Sequence, residues 1–193
     1  MTELLFRDDP YAKSCEATIT AINERGGIEL DRTVFYPTGG GQPGDTGSLR
    51  LADGGEITIA TTVKGEGADD VVHVPAEGQN LPAVGTAVTA SIDWDVRHRL
   101  MRIHTCLHLL SSVVEYPVTG GQISDGKGRL DFDMPEMTVE KEAITTRLNE
   151  LIQEAHPVST DWISDEDLAA QPDLVKTMSV KPPMGQGRVR LID

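Results

Sequence analysis

Only two cysteines occur in the sequence, Cys15 and Cys106, which is too few for a disulfide framework, and both read as reduced thiols. No run of 18 apolar residues could cross a bilayer, and no charged-then-apolar leader opens the chain; both absences predict a soluble, cytoplasmic protein. Basic residues are scarce as well. Lys and Arg number 17 against 31 Asp and Glu, a formal net charge of −14 at pH 7. Such a balance repels a polyanion unless the cations are gathered on one face. There is no internal repeat and no low-complexity stretch. What is present is an ordinary globular composition, 38% hydrophobic and 25% charged over 193 residues, enough for one substantial domain or two small ones sharing an interface.

From Cys15 to Asp93 short stretches rich in Thr, Val and Ile are cut by Gly- and Pro-containing turns, the pattern of a small barrel or sandwich. Strands are expected at Cys15–Ile22, Gly27–Leu30, Thr33–Tyr36, Asp45–Leu51, Glu56–Val63, Val71–Val74 and Thr86–Ile92. At Trp94 the period lengthens from two to that of a helix, with Leu100, Ile103, Leu107, Leu110 and Val114 on one face as far as about Glu115. Beyond it come an expected strand at Gly128–Asp133, a helix at Thr138–Ala155 capped by Thr138, and a strand at Val158–Ile163. A short helix follows from Ser164, with Asp167 at capping-box spacing, then a Pro182-Pro183-Met184-Gly185 turn and a final strand at Gly187–Asp193. The fold class expected is α+β: a β domain over residues 1–92 and an α+β lobe over 93–193, with a functional site between them.

Two constellations could carry chemistry. His104 and His108 stand at i and i+4 of the long helix, where two imidazoles on one face can share a metal ion. The plainer alternative is a pair of polar residues beside the apolar stripe. A zincin protease would have Glu after the first histidine, and Thr105 stands there. Cys106, two residues from each histidine, falls on another helical face. The second constellation is the loop Phe35-Tyr36-Pro37-Thr38-Gly39-Gly40-Gly41-Gln42-Pro43-Gly44-Asp45-Thr46-Gly47, whose adjacent glycines suit a tight path or a close approach of backbone to ligand. It matches neither the P-loop nor the dinucleotide fingerprint, and a plain connecting loop is the alternative. Arg97, His98, Arg99 and Arg102 cluster near the start of the helix, either as phosphate contacts or as a solvated face.

In combination, the glycine-rich loop followed by a helix bearing His-x-x-x-His and Leu-Leu resembles the alanyl-tRNA editing family. Its members are free-standing relatives of the editing domain of alanyl-tRNA synthetase and of the second additional domain of threonyl-tRNA synthetase. The resemblance implies a trans-editing hydrolase that releases a wrong amino acid, serine or glycine, from tRNA(Ala). It implies Zn2+ held by His104 and His108, with Thr38 and Gln42 as side-chain donors or acceptors at the reacting group. Gly39, Gly40 and Gly41 would then bring backbone amides to the substrate, and Arg97 and Arg102 would contact it. The family completes its zinc shell with a Cys-x-x-x-His element after a strand like the last one here, and this sequence stops before any such element; either the chain is truncated, the reading preferred, or the metal site has been lost or altered, and the zinc site is expected to be incomplete. The alternatives are a non-catalytic or metal-depleted tRNA- or nucleotide-binding module of the same fold and an unrelated metal-dependent esterase.

Overall fold

Apolar alternation closes the N-terminal half on itself. In the computed structural model, which describes residues 2–67, 69–136, 139–171, 174–175 and 187–192, the chain begins with β1 (Glu3–Leu4) and one helical turn, α1 (Leu5–Asp8). Next come β2 (Ser14–Ile22), β3 (Ile28–Leu30), β4 (Arg32–Thr33), β5 (Gly47–Leu51), β6 (Glu56–Lys64), β7 (Val71–Pro75) and β8 (Ala87–Ile92). β1 and β4 form a small parallel pair. The other six strands form a closed antiparallel barrel in the order β2-β3-β7-β6-β5-β8. Because neighbouring side chains of a strand point to opposite faces, every second residue faces inward. Ala17 and Ile19 of β2, Ile57 and Ile59 of β6, and Val88, Ala90 and Ile92 of β8 meet there with Ile28, Leu30, Leu49 and Phe35. Full closure leaves none of these six strands as an exposed edge.

The expected strand at Thr33–Tyr36 shortens to Thr33. Val34 and Phe35 are fully buried, yet the Val34 carbonyl and the Tyr36 amide are taken by side chains rather than by a ladder. For the same reason the strand expected from Asp45 starts at Gly47, since the Asp45 amide bonds back to the Tyr36 carbonyl at 2.9 Å.

The remaining elements are α2 (Trp94–Val113), β9 (Val118–Ser124), β10 (Lys127–Phe132), α3 (Lys141–Glu154), β11 (Thr160–Ser164), α4 (Asp165–Ala170) and β12 (Arg188–Ile192). β9, absent from the sequence-based expectation, pairs with β10. β11 and β12 pair antiparallel from Thr160↔Ile192 to Ser164↔Arg188, with Ile163 opposite the buried Val189. Ser164 caps α4 as its spacing foretells, its hydroxyl accepting from the Asp167 amide at 2.9 Å. Glu140 occupies the N-cap of α3 without a side-chain cap bond; Thr138 and the Pro182-Pro183-Met184-Gly185 turn lie outside the described residues. Residues up to Arg102, together with Ile123–Lys127, form one compact unit; Ile103–Gln122 and Gly128 onward form the other. The division thus falls inside α2 rather than at Asp93, and the buried Arg97 and Leu100 belong to the first unit. Among the described residues no helix is long and apolar enough to cross a membrane.

A titratable side chain sits wholly inside the first unit. His73 of β7 is 0% exposed, with its Nδ1 3.0 Å from the Ile28 carbonyl and its Nε2 2.8 Å from the Thr33 hydroxyl. A carbonyl only accepts, so Nδ1 carries the proton; Nε2 then accepts from Thr33, whose oxygen in turn accepts from the Phe35 amide at 3.0 Å. Burial pushes the imidazole down from 6.5 to about 4, against a smaller upward pull from the Ile28 carbonyl. The unfolded chain therefore takes up this proton first as pH falls. The stability that neutral His73 confers is complete above about pH 6.5 and is lost toward pH 4, a loss of about 3 kcal/mol. In His73→Gln, urea unfolding between pH 7 and pH 4 should show a correspondingly flatter decline than the parent, and the parent His73 ring resonance should titrate near 4.

Candidate functional site

The glycine-rich loop is fixed from below by β6. The Thr62 carbonyl accepts from both the amide of Thr38, at 2.9 Å, and its hydroxyl, at 3.1 Å. The Thr62 hydroxyl donates to the Asp45 carbonyl at 2.9 Å, so a single strand residue grips both ends of the loop. Thr38 Oγ1 also accepts from the Gly44 amide at 2.9 Å. Gly44 must be glycine: a Cβ there would stand 1.9 Å from the Thr62 oxygen. Within the loop Gly39 and Gln42 exchange amide-to-carbonyl bonds at 3.1 and 3.0 Å, and Gln42 is 6% exposed. The tip residues Gly40 and Gly41 take φ of 58° and 78°, and the Gly41 carbonyl accepts from the Ile123 amide at 2.8 Å.

An ion pair then locks the loop to the helix. Arg97 of α2 and Asp45 are 4% and 3% exposed. The guanidinium Nε donates to both Asp45 oxygens, at 2.7 and 3.0 Å, and a terminal nitrogen bridges Asp45 Oδ2 and the Val34 carbonyl. The same Oδ2 accepts from the Tyr36 amide at 2.7 Å. Burial pushes the Tyr36 phenol above its ordinary value, with Arg97 opposing and Asp45 reinforcing the shift. Arg97 is therefore no phosphate contact: a guanidinium buried under the loop, with Nε and one terminal nitrogen committed to Asp45 and the Val34 carbonyl, is not presented to a ligand. Of its neighbours, Arg99 forms an exposed pair with Asp125 at 2.7 and 3.0 Å, and His98 stacks on Trp94 at 5.3 Å. Arg102 is exposed and pairs with no carboxylate among the described residues, which leaves it as the cation of the cluster able to meet a phosphate.

Farther along α2, in the second unit, the rings of His104 and His108 lie side by side, 5.0 Å apart and 17° from parallel, as expected for positions one turn apart. Desolvation lowers both imidazoles, and His108 lowers His104 further. Both are therefore neutral at pH 7, the form that donates a lone pair to a metal. Among the described residues no third His, Cys, Asp or Glu joins them in a cluster that could hold a metal ion. Cys106 between them is a half-buried free thiol. His156, the one histidine beyond the motif, follows the C-cap of α3 and hydrogen-bonds Glu154 at 2.7 Å.

The family described as tRNA synthetases class II (A) matches residues 9–96, which take in the whole barrel and the loop. The chain is 39% identical to the alanyl-tRNA editing protein AlaX-M of Methanosarcina mazei over 177 residues, 86% of this chain and 70% of that protein. It belongs to the alanyl-tRNA editing protein family. Identity to the AlaX-M editing protein of Pyrococcus horikoshii is 37%, covering 86% of this chain and 76% of the relative. The alanine-tRNA ligase of Aeropyrum pernix is 32% identical over 86% of this chain but only 19% of its own length, as expected where one module of a large enzyme is shared. Against the AlaX-M editing protein of Methanosarcina acetivorans the match covers 100% of this chain at 34% identity, so the relationship to editing proteins spans both units.

Asp45 and Thr62 escape a reading of the sequence because their partners are remote, yet Asp45 stands inside the glycine-rich motif and its acidity was visible there. Arg97→Met, which leaves Asp45 charged and buried, should cost about 3–5 kcal/mol in urea unfolding. Arg97→Met combined with Asp45→Leu should cost less than that single change, and a double-mutant cycle measures the difference.

Proposed function

We propose that this protein is a trans-editing hydrolase that cleaves the ester between a wrong amino acid, serine or glycine, and the 3′ adenosine of tRNA(Ala). Water adds to the ester carbonyl, the acyl–oxygen bond breaks, and the free amino acid and the tRNA hydroxyl are released. The observation that carries the reading is the pair of neutral, parallel imidazoles of His104 and His108 in a chain related along its length to editing proteins. A second sieve of this kind is needed because a pocket for alanine rejects an analogue with one added hydroxyl only about a hundredfold.

The donor set suits zinc: two neutral imidazoles supply two of the four ligands of a tetrahedral shell. Bound zinc would either activate water or anchor the substrate. Gly40 and Gly41 offer amides to the substrate, whereas the Gly39 amide is occupied by Gln42, whose burial makes it a loop-forming residue. Arg102 meets a phosphate of the tRNA.

Thr38 serves selection. Its hydroxyl hydrogen goes to the Thr62 carbonyl and one lone pair to the Gly44 amide, which leaves one lone pair able to accept from the hydroxyl of a seryl group. Alanine has no such donor. The same two bonds give Thr38 a structural duty, so Thr38→Val strips the loop of an anchor as well as a selector, at about 1–3 kcal/mol for the buried groups left unpaired. Thr38→Ser keeps both.

With the family's Cys-x-x-x-His element completing the metal shell and zinc supplied, the protein should release serine from charged tRNA(Ala) far faster than buffer does. His104→Ala and His108→Ala should each lower kcat/KM by about a hundredfold or more, with the thermal midpoint little changed. Thr38→Ser should hold the parent ratio of serine to alanine release and Thr38→Val should lower it. Absence of serine release from that zinc-loaded, metal-complete form overturns the hydrolase reading.

A further inference from the structure

We propose that Lys64, together with the amides of Gly40 and Gly41, forms a binding site for a nucleotide phosphodiester. Resting on the reading of the chain as a tRNA-editing hydrolase, we assign this site to the phosphodiester that joins the last two nucleosides of the charged strand.

Lys64 is the last residue of β6, two positions beyond the Thr62 that grips the loop. Its side chain lies on the loop backbone: a Cβ at Gly39 would stand 3.3 Å from Lys64 Cε and 3.5 Å from Nζ. The glycine at 39 thus makes room for an ammonium group at the base of the Gly40-Gly41 tip.

Among the described residues that charge is not spent on a carboxylate. The turn after Lys64 carries Glu66, Asp69 and Asp70, in a chain of net charge −14, yet Lys64 pairs with no carboxylate among the described residues. Asp69 is drawn away by Arg7 at 3.1 Å, and Asp70 Oδ2 accepts from the Gly67 amide at 2.9 Å. An exposed cation kept off three neighbouring acids is available to an outside anion.

The loop tip supplies directed donors beside it. Gly40 and Gly41 are consecutive residues with left-handed φ, and their amides donate to none of the described residues, while the flanking amides of Gly39 and Gln42 are used on each other. Successive free amides in such a turn make a concavity that favours an anion. Lys adds a compact point charge suited to phosphate.

The chemistry of the substrate selects the ligand. An aminoacyl ester carries an ammonium group and no carboxylate, so Lys64 repels the amino-acid end. The anions on a charged tRNA terminus are its phosphodiesters. A cation here fixes the strand through the linkage before the terminal adenosine and is silent toward the nature of the amino acid.

Binding of two uncharged probes tests this without any catalysis. The parent should bind the dinucleotide cytidylyl-3′,5′-adenosine about tenfold more tightly than adenosine, the size of effect expected for one charge-assisted contact. Lys64→Met preserves the packing on Gly39 and should bring the two affinities together, while Lys64→Arg should restore most of the gap. In the parent, the Gly40 and Gly41 amide resonances should shift with the dinucleotide and not with adenosine. Equal binding of both probes by the parent, or a gap that survives in Lys64→Met, overturns the site. Serine release from charged tRNA(Ala), measured in parallel on the zinc-loaded, metal-complete form, separates the two readings. A Lys64-dependent gap without release leaves the phosphate site standing and removes the hydrolase; release without a gap does the reverse.

Discussion

The Arg97–Asp45 pair is the constraint on which the first unit's functional surface depends. Taking two charges out of water is costly, and the cost is offset only where geometry is good and the remaining donors and lone pairs are filled. Here the guanidinium straddles both carboxylate oxygens and reaches the Val34 carbonyl, and the carboxylate accepts from the Tyr36 amide. The backbone groups that would otherwise extend a strand through Tyr36 are thereby committed to the pair. A loop of three glycines has little side-chain matter with which to hold itself. It borrows definition from Asp45 at one end, Thr38 at the other, and Thr62 gripping both. The helix that contributes Arg97 also bears His104 two turns later, so the element that secures the loop is the element that presents the imidazoles.

Legibility in the sequence follows the range of the forces involved. The strands at Cys15–Ile22, Glu56–Val63 and Thr86–Ile92 could be read almost to the residue, because inward alternation in a closed barrel is a local signature. The long helix was equally plain from its apolar period. β9 was not, since Gly120 and Gly121 dilute its strand signal and pairing with β10 supplies what propensity does not. The histidine spacing was readable for the same local reason as the helix. Arg97 was misread because its fate depends on a carboxylate 52 residues earlier, and nothing in the helix itself distinguishes a buried guanidinium from a solvated one.

The acidic balance and the proposed polyanionic substrate are reconciled by locality. Net charge acts at a distance and is screened over about 10 Å at moderate salt, whereas a contact is made by whichever cation stands free at the site. Many arginines here are engaged: Arg7 with Asp69, Arg32 with Glu3, Arg99 with Asp125, Arg129 with Asp131 and Arg147 with Glu150. Such exposed pairs add little to stability, but each withdraws a cation from indiscriminate attraction of nucleic acid. The cations left over then carry more of the choice of partner.

Strand β6 changes phase along its length. Its register slips between Ile59 and Thr61, so that Ile57 and Ile59 are the buried residues before the slip and Thr62 is the buried residue after it. The first half of the strand answers to the apolar interior and the second half to the hydrogen-bonding groups of the loop. Two selective pressures that would otherwise compete for the same alternating positions are thus assigned to separate stretches of one strand. A size change at Ile57 or Ile59 and a polar change at Thr62 therefore act on different neighbours, the first on the apolar interior and the second on the loop.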